Sequence, residues 1–162
     1  MIEATGTKLA EEIATAALLS GRTIAVAESL TAGHTATLLG AAPESALWFR
    51  GGVVACAPGV KFDVLGVRPG PVVCASCARE MATGALSRLD ADIAVAATGV
   101  GGPGPEEGVP AGTLYLARAS LYDDLVEQEL LLDGPPDRVV ELAVILMLNL
   151  VYESLVEVSV LR

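Results

Sequence analysis

Positive charge is scarce in this 162-residue chain: ten Lys and Arg stand against twenty Asp and Glu, a formal net charge of −10. The basic residues are scattered rather than gathered into a stripe, so the electrostatic footprint of nucleic-acid binding is missing and DNA and RNA are excluded as partners. A small phosphorylated ligand stays compatible with the acidity, because a few N–H groups and one or two cations bind it locally. Cysteine is sparse too. Cys56, Cys74 and Cys77 are an odd number and too few for a secreted disulfide framework, which suits a reducing compartment. The single histidine, His34, leaves no Ser-His-Asp triad unless it serves itself, and inside the second expected helix it reads as a packing or surface residue. Long apolar runs are missing: Leu142–Leu148 is the longest, far short of the roughly 20 residues that span a bilayer. Glu3, Lys8, Glu11 and Glu12 interrupt the N-terminal apolar residues, which predicts neither a signal nor a transit peptide. The expectation is a cytoplasmic protein with no membrane partner.

What the chain has is apolar bulk of a small kind. Hydrophobic residues make up 52% and aromatics 4%, which predicts a single domain, residues 1–162, with a core of Ala, Val and Leu that needs no disulfide or structural metal. Apolar periodicity predicts an amphipathic helix over 4–20 stopped by Gly21, a strand over 23–27, and a helix from about Thr31 to Gly40. A strand over 46–56 should carry a bulge or close approach at Gly51-Gly52. A short helical turn with Lys61 runs to Leu65, a helix covers 74–89, and a wholly apolar strand covers 93–97. Residues 112–118 and 125–132 alternate like an antiparallel pair, and Pro135-Pro136-Asp137 opens a last helix to about Glu157. That helix is apolar nearly all round over 139–151, so a central position or a subunit interface must cover it. The order predicts an α/β fold, a layered α/β/α sandwich with a mixed sheet.

Three polar features stand at strand ends, where open α/β sheets bind ligands: Glu28-Ser29-Leu30-Thr31, Lys61, and the Thr98–Gly104 loop. Ser29 stands where a helix N-terminus would aim N–H groups at a nucleophile or an anion, although an ordinary N-cap at Ser29 or Thr31 explains the same turn. Lys61 is one of two lysines against eight arginines. A lysine whose pKa burial lowers can take the proton of a serine, and a solvated surface lysine is the plainer alternative. A loop rich in glycine can present N–H donors to an oxyanion or a phosphate. Cys74-Ala75-Ser76-Cys77 spells C-x-x-C at an expected helix start, open to redox or metal chemistry but equally to buried small apolar side chains.

Three segments together resemble one family. Ala27–Gly33 (Ala-Glu-Ser-Leu-Thr-Ala-Gly), Phe49–Ala55 with Lys61, and Thr98–Gly104 followed by Pro110-Ala111-Gly112-Thr113 are similar to the CinA C-terminal domain family, over about residues 5–155. That family includes the nicotinamide mononucleotide deamidases, also called PncC. The resemblance implies an amidohydrolase that converts nicotinamide mononucleotide to nicotinate mononucleotide and ammonia, with no metal and no organic cofactor. It implies Ser29 as nucleophile and Lys61 as its base, with Glu28, Thr31 and Gly33 shaping the first turn as part of the substrate-binding site. Arg50, Thr98, Gly99, Gly102 and Gly104 are then substrate-binding residues. It further implies a homo-oligomer, a dimer or higher, in the stand-alone form without the N-terminal domain of longer relatives. The chain departs from the family pattern at Leu30 and Ala32, at Cys56-Ala57-Pro58 where Tyr-Ser-Asn is usual, and at Val140 where an arginine is usual. Those departures set up a second expectation, a catalytically weak paralogue that binds a nucleotide or a partner protein.

Overall fold

The computed structural model describes residues 2–156. The chain forms α1 (Ile2–Ser20), β1 (Ile24–Glu28), α2 (His34–Ala41), α3 (Ser45–Trp48), β2 (Phe49–Val54), α4 (Pro58–Asp63), α5 (Ala75–Arg88), β3 (Ile93–Gly99), β4 (Thr113–Ser120), β5 (Val126–Leu131) and α6 (Pro136–Val156). The sheet order is β2-β1-β3-β4-β5. Strands β2, β1 and β3 run parallel and the β3-β4-β5 pairings are antiparallel, so the sheet is mixed, as expected. Helices cover both of its faces.

The two faces differ in side-chain size, and the strand period of two explains how. On β1 and β3, Ile24, Val26, Ile93, Val95 and Ala97 join the core shared with α1 and α6. The alternate residues Ala25, Ala27, Ala94 and Ala96 face Ala78, Met81, Ala82 and Ala85 of α5. A run of alanines lets α5 lie close to the sheet, while the larger layer fills the wider space under two helices. All five residues of β1 and all seven of β3 are buried, which is why neither shows the polar alternation of a half-exposed strand.

Several boundaries differ from the sequence expectation. The chain expected to be strand from residue 46 is helical through Trp48, and Trp48 is buried with its Nε1–H donating to Pro43 O at 3.0 Å. That bond ties the indole into the turn and delays the strand. The β2 bulge falls at Arg50, one residue before Gly51-Gly52: Ile24 pairs with Phe49 and Ala25 with Gly51. Gly52 supplies the close approach instead, since a Cβ there would come within 2.8 Å of Val26 Cγ2. The last helix is only half enveloped. α6 is long and apolar enough by composition to cross a membrane, yet half of its most apolar stretch is buried inside this fold, against α1 and the sheet. Its expected end near Glu157 lies outside the described residues.

Candidate active site

Parallel strands deliver their C-terminal ends to one rim, and here three adjacent ones, β2, β1 and β3, do so. The chain leaves β1 towards α2 on one face and leaves β2 towards α4 and α5 on the other, which opens a crevice between the two strand ends. Ser29 and Lys61 flank that crevice. Ser29 is fixed by its N–H, which donates to Ala97 O at 3.2 Å, and Ala55 N–H donates to Glu28 O at 2.7 Å. Pro58 begins α4 with a preset φ and no N–H to lose, and Lys61 is carried one turn later, in the buried position of that helix.

The lysine is 1% exposed. Its Nζ lies 3.0 Å from Ser29 Oγ, 2.6 Å from Ala55 O and 3.3 Å from Cys56 O. Among the described residues no carboxylate forms a salt bridge with it. Burial therefore dominates and lowers its pKa from the usual 10.5, against smaller opposing fields from Cys77, Cys56, Glu106 and Glu107. The chemistry of this geometry is specific. A neutral amine has two N–H bonds and one lone pair: two carbonyls, Ala55 O and Cys56 O, accept the N–H bonds, and the lone pair remains for the Ser29 hydroxyl proton.

A cavity of about 440 Å³ opens on this pair, lined by Ser29, Cys56, Pro58, Lys61, Val72, Val73, Thr98, Gly99, Glu106 and Glu107. Its far wall is tied together by polar contacts. Thr98 Oγ1 donates to Val72 O at 2.8 Å, and the Glu107 carboxylate accepts from Val72 N–H and Val73 N–H at 2.9 and 2.7 Å. Glu107 itself sits at φ +49, a left-handed conformation that costs a residue with a side chain of order 1 kcal/mol and persists where surrounding contacts hold it. Among the described residues the amide N–H groups of Leu30 and Thr31, next to Ser29, have no acceptor. Thr31 is buried, and neither residue lines the cavity.

The expected site residues divide into three groups. Ser29, Lys61, Thr98 and Gly99 meet at the cavity, but the Thr98 hydroxyl is spent on Val72 O. Gly99 is required by packing, since a Cβ would collide with the Thr113 carbonyl oxygen. Glu28, Thr31 and Gly33 build the turn and do not line the cavity. The Glu28 carboxylate, 1% exposed, accepts from Thr35 N–H at 3.1 Å and Ala36 N–H at 2.8 Å. It therefore caps α2 from inside, which corrects the expectation that Ser29 or Thr31 caps it and moves the helix start to His34. Gly33 occupies the N-cap position at φ +91, where a side chain would be strained. Buried Thr31 directs its hydroxyl to the Met147 sulfur at 3.7 Å.

Arg50, Gly102 and Gly104 lie elsewhere. Arg50 Nε donates to Leu89 O at 2.8 Å beside Asp90, at the opposite end of β2, roughly 13 Å along the strand from the rim. Gly102 packs near Ala111 and Pro136 at the start of α6, and Gly104 is exposed in the same loop. Val140 lines a separate groove of about 600 Å³ between α1, α2 and α6, with His34 at its edge. Residues that sequence reasoning missed are Val72, Val73, Glu106 and Glu107. The pair Glu106-Glu107, directly after a glycine- and proline-rich loop, was the available signal.

Cys74 and Cys77 are not bridged in this structure. All three cysteines are free thiols, Cys77 is buried, and burial pushes its pKa up to about 12. Cys74 Sγ contacts Ser76 Oγ at 3.2 Å. Among the described residues no group of three or more His, Cys, Asp or Glu side chains is placed to hold a metal ion.

A model of the CinA C-terminal domain matches residues 6–155. A CinA-like protein of Frankia casuarinae is 41% identical over 82% of this chain and 32% of its own length. A putative competence-damage inducible protein of Geobacillus kaustophilus is 42% identical over 74% of this chain and 30% of its own length. The chain thus spans about a third of the length of the curated relatives it matches. Among solved structures, a competence-damaged protein (CinA) superfamily protein from Klebsiella pneumoniae superposes with a TM-score of 0.88 at 33% identity, over 94% of this chain and 98% of that one. The Escherichia coli superfamily protein gives 0.85 at 31% identity, over 89% and 87%.

Proposed function

The chain belongs to the CinA C-terminal domain family, and from that premise we propose that it is a serine amidohydrolase acting on the carboxamide of a nicotinamide nucleotide. The observation that carries the reading is the 3.0 Å approach of a buried lysine amine, without a salt bridge among the described residues, to a serine hydroxyl on the rim of a cavity. Neutral Lys61 takes the Ser29 proton as Oγ attacks the carboxamide carbon. On this reading the Leu30 N–H, the backbone donor next to Ser29 in sequence, meets the tetrahedral oxyanion. Lys61 returns the proton to the leaving nitrogen, ammonia departs, and an ester on Ser29 remains. Water then repeats the attack with Lys61 again as base, freeing the carboxylate product and restoring the hydroxyl. The sum is one amide and one water to one acid and one ammonia.

On this reading the substrate is nicotinamide mononucleotide, in a cytoplasmic homo-oligomer that works without a metal or organic cofactor. Exposed Leu18 and Leu19 near the end of α1, and Leu47 in α3, supply apolar surface for self-association. The second reading, a catalytically weak module that binds a nucleotide or a protein, is favoured by one observation: among the described residues no arginine lines the cavity to receive a phosphate. Ammonia release from nicotinamide mononucleotide, measured for wild type and Ser29→Ala, separates the two. Serine-dependent release supports the hydrolase; binding without release by wild type overturns it in favour of the module.

A further inference from the structure

We propose that Glu106 determines specificity by reading a positive charge on the ring that bears the carboxamide, so that the site takes cationic carboxamides in preference to neutral ones. The inference rests on the assignment of the Ser29–Lys61 cavity as the substrate site. Glu106 and Glu107 both line that cavity, on a tight turn closed by Glu106 N–H to Val109 O at 3.1 Å and Val109 N–H to Glu106 O at 2.8 Å. The two carboxylates have different employment. Glu107 is spent on the N–H groups of Val72 and Val73. The Glu106 carboxylate makes no hydrogen bond or ion pair with any described residue, and so remains available to a ligand.

Such a group is a handicap for an uncharged or anionic substrate. It repels an anion, and its field favours the protonated form of Lys61, which is no base. A cation in the cavity reverses both effects: it pairs with Glu106 and adds a repulsive charge to protonated Lys61, favouring the neutral amine that the reaction needs. The ring charge thus contributes to binding and to preparation of the base. No arginine or second lysine lines the cavity among the described residues, so an anionic group elsewhere on the same ligand is directed outwards, away from the carboxylates.

The test uses two ligands of the same ring and amide, N1-methylnicotinamide as the cation and nicotinamide as the neutral form, titrated calorimetrically into the Ser29→Ala protein and into Ser29→Ala/Glu106→Gln. The cation should bind about two- to five-fold tighter to the first protein, the scale of one exposed charge pair. It should lose that advantage in the second, at unchanged Tm, while nicotinamide binds both alike. No preference for the cation, a preference that survives Glu106→Gln, or no binding of either ligand would overturn the proposal. If the preference appears and depends on Glu106 while wild type releases no ammonia from any carboxamide, the hydrolase reading fails and the charge reading stands.

Discussion

Replacing Lys61 by methionine keeps the length and apolar stem of the side chain and removes its amine. The base is lost outright, which should lower kcat by about 10²- to 10⁴-fold. Stability changes by opposing amounts. Ala55 O loses its 2.6 Å partner inside the fold, and a buried acceptor left unpaired costs about 1–3 kcal/mol. Cys56 O lies at the cavity and is rehydrated more easily. Against this, the protein no longer buries an amine whose charged form burial disfavours. A net loss of about 1–2 kcal/mol corresponds to a fall of roughly 2–8 °C in Tm for a domain of this size. The pH dependence carries the sign. Only the neutral amine is a base, so wild-type kcat/KM should rise with pH through the Lys61 pKa, which burial lowers below 10.5, and level off above it. Unfolded Lys61 binds its proton more tightly than folded Lys61, so wild type should gain stability relative to Lys61→Met as pH climbs towards 10.5. Lys61→Arg keeps the charge but cannot deprotonate in this range, and should be as inactive as Lys61→Met. Steady-state ammonia release and thermal melts across pH 6–10 check all three. A Lys61→Arg protein with more than about a tenth of wild-type rate would refute the general-base assignment.

Glu28→Ala strips the internal cap from α2 and leaves two N–H groups without a partner, so chemical denaturation should show a loss of about 2–4 kcal/mol; a loss under 1 kcal/mol would contradict that role. Native thiol titration at pH 8 should find exposed Cys56 reacting first and Cys77, buried and with its pKa pushed up to about 12, not reacting until the protein unfolds; rapid modification of Cys77 would overturn the placement. Arg50→Ala should leave the KM for a carboxamide within about two-fold, the effect expected of a surface contact remote from the site, because its guanidinium is engaged with Leu89 O and Asp90 at the far end of β2; a ten-fold rise in KM would place it back at the substrate.

The parts of this fold that local pattern determines were legible. Continuous apolar runs announced β1 and β3, helical periodicity announced α1 and α5, and the Pro135-Pro136-Asp137 opening announced α6. Ser29 and Lys61 could be singled out because each followed an expected strand, but that they meet depends on a parallel β1–β2 pairing and on a helix that turns Lys61 back towards Ser29. Long-range contacts decided the remainder. Glu28 looked like part of the ligand site because it adjoins Ser29, yet strand alternation turns it to the other side, under α2. Arg50 belonged to a motif whose neighbours matter, while its own position is the bulge. Val72 and Val73 carry no chemical signature at all; their role comes from Thr98 and Glu107, distant in sequence, which pin that segment against the cavity.

The most direct measurement of the central claim is the mass of the protein acid-quenched during turnover of nicotinamide mononucleotide, with the modified peptide sequenced. The account predicts an acyl ester of the nucleotide on the peptide containing Ser29, absent from Ser29→Ala, which should also release no ammonia above background. Undiminished ammonia release by Ser29→Ala, or an adduct that maps to Cys56, would contradict it.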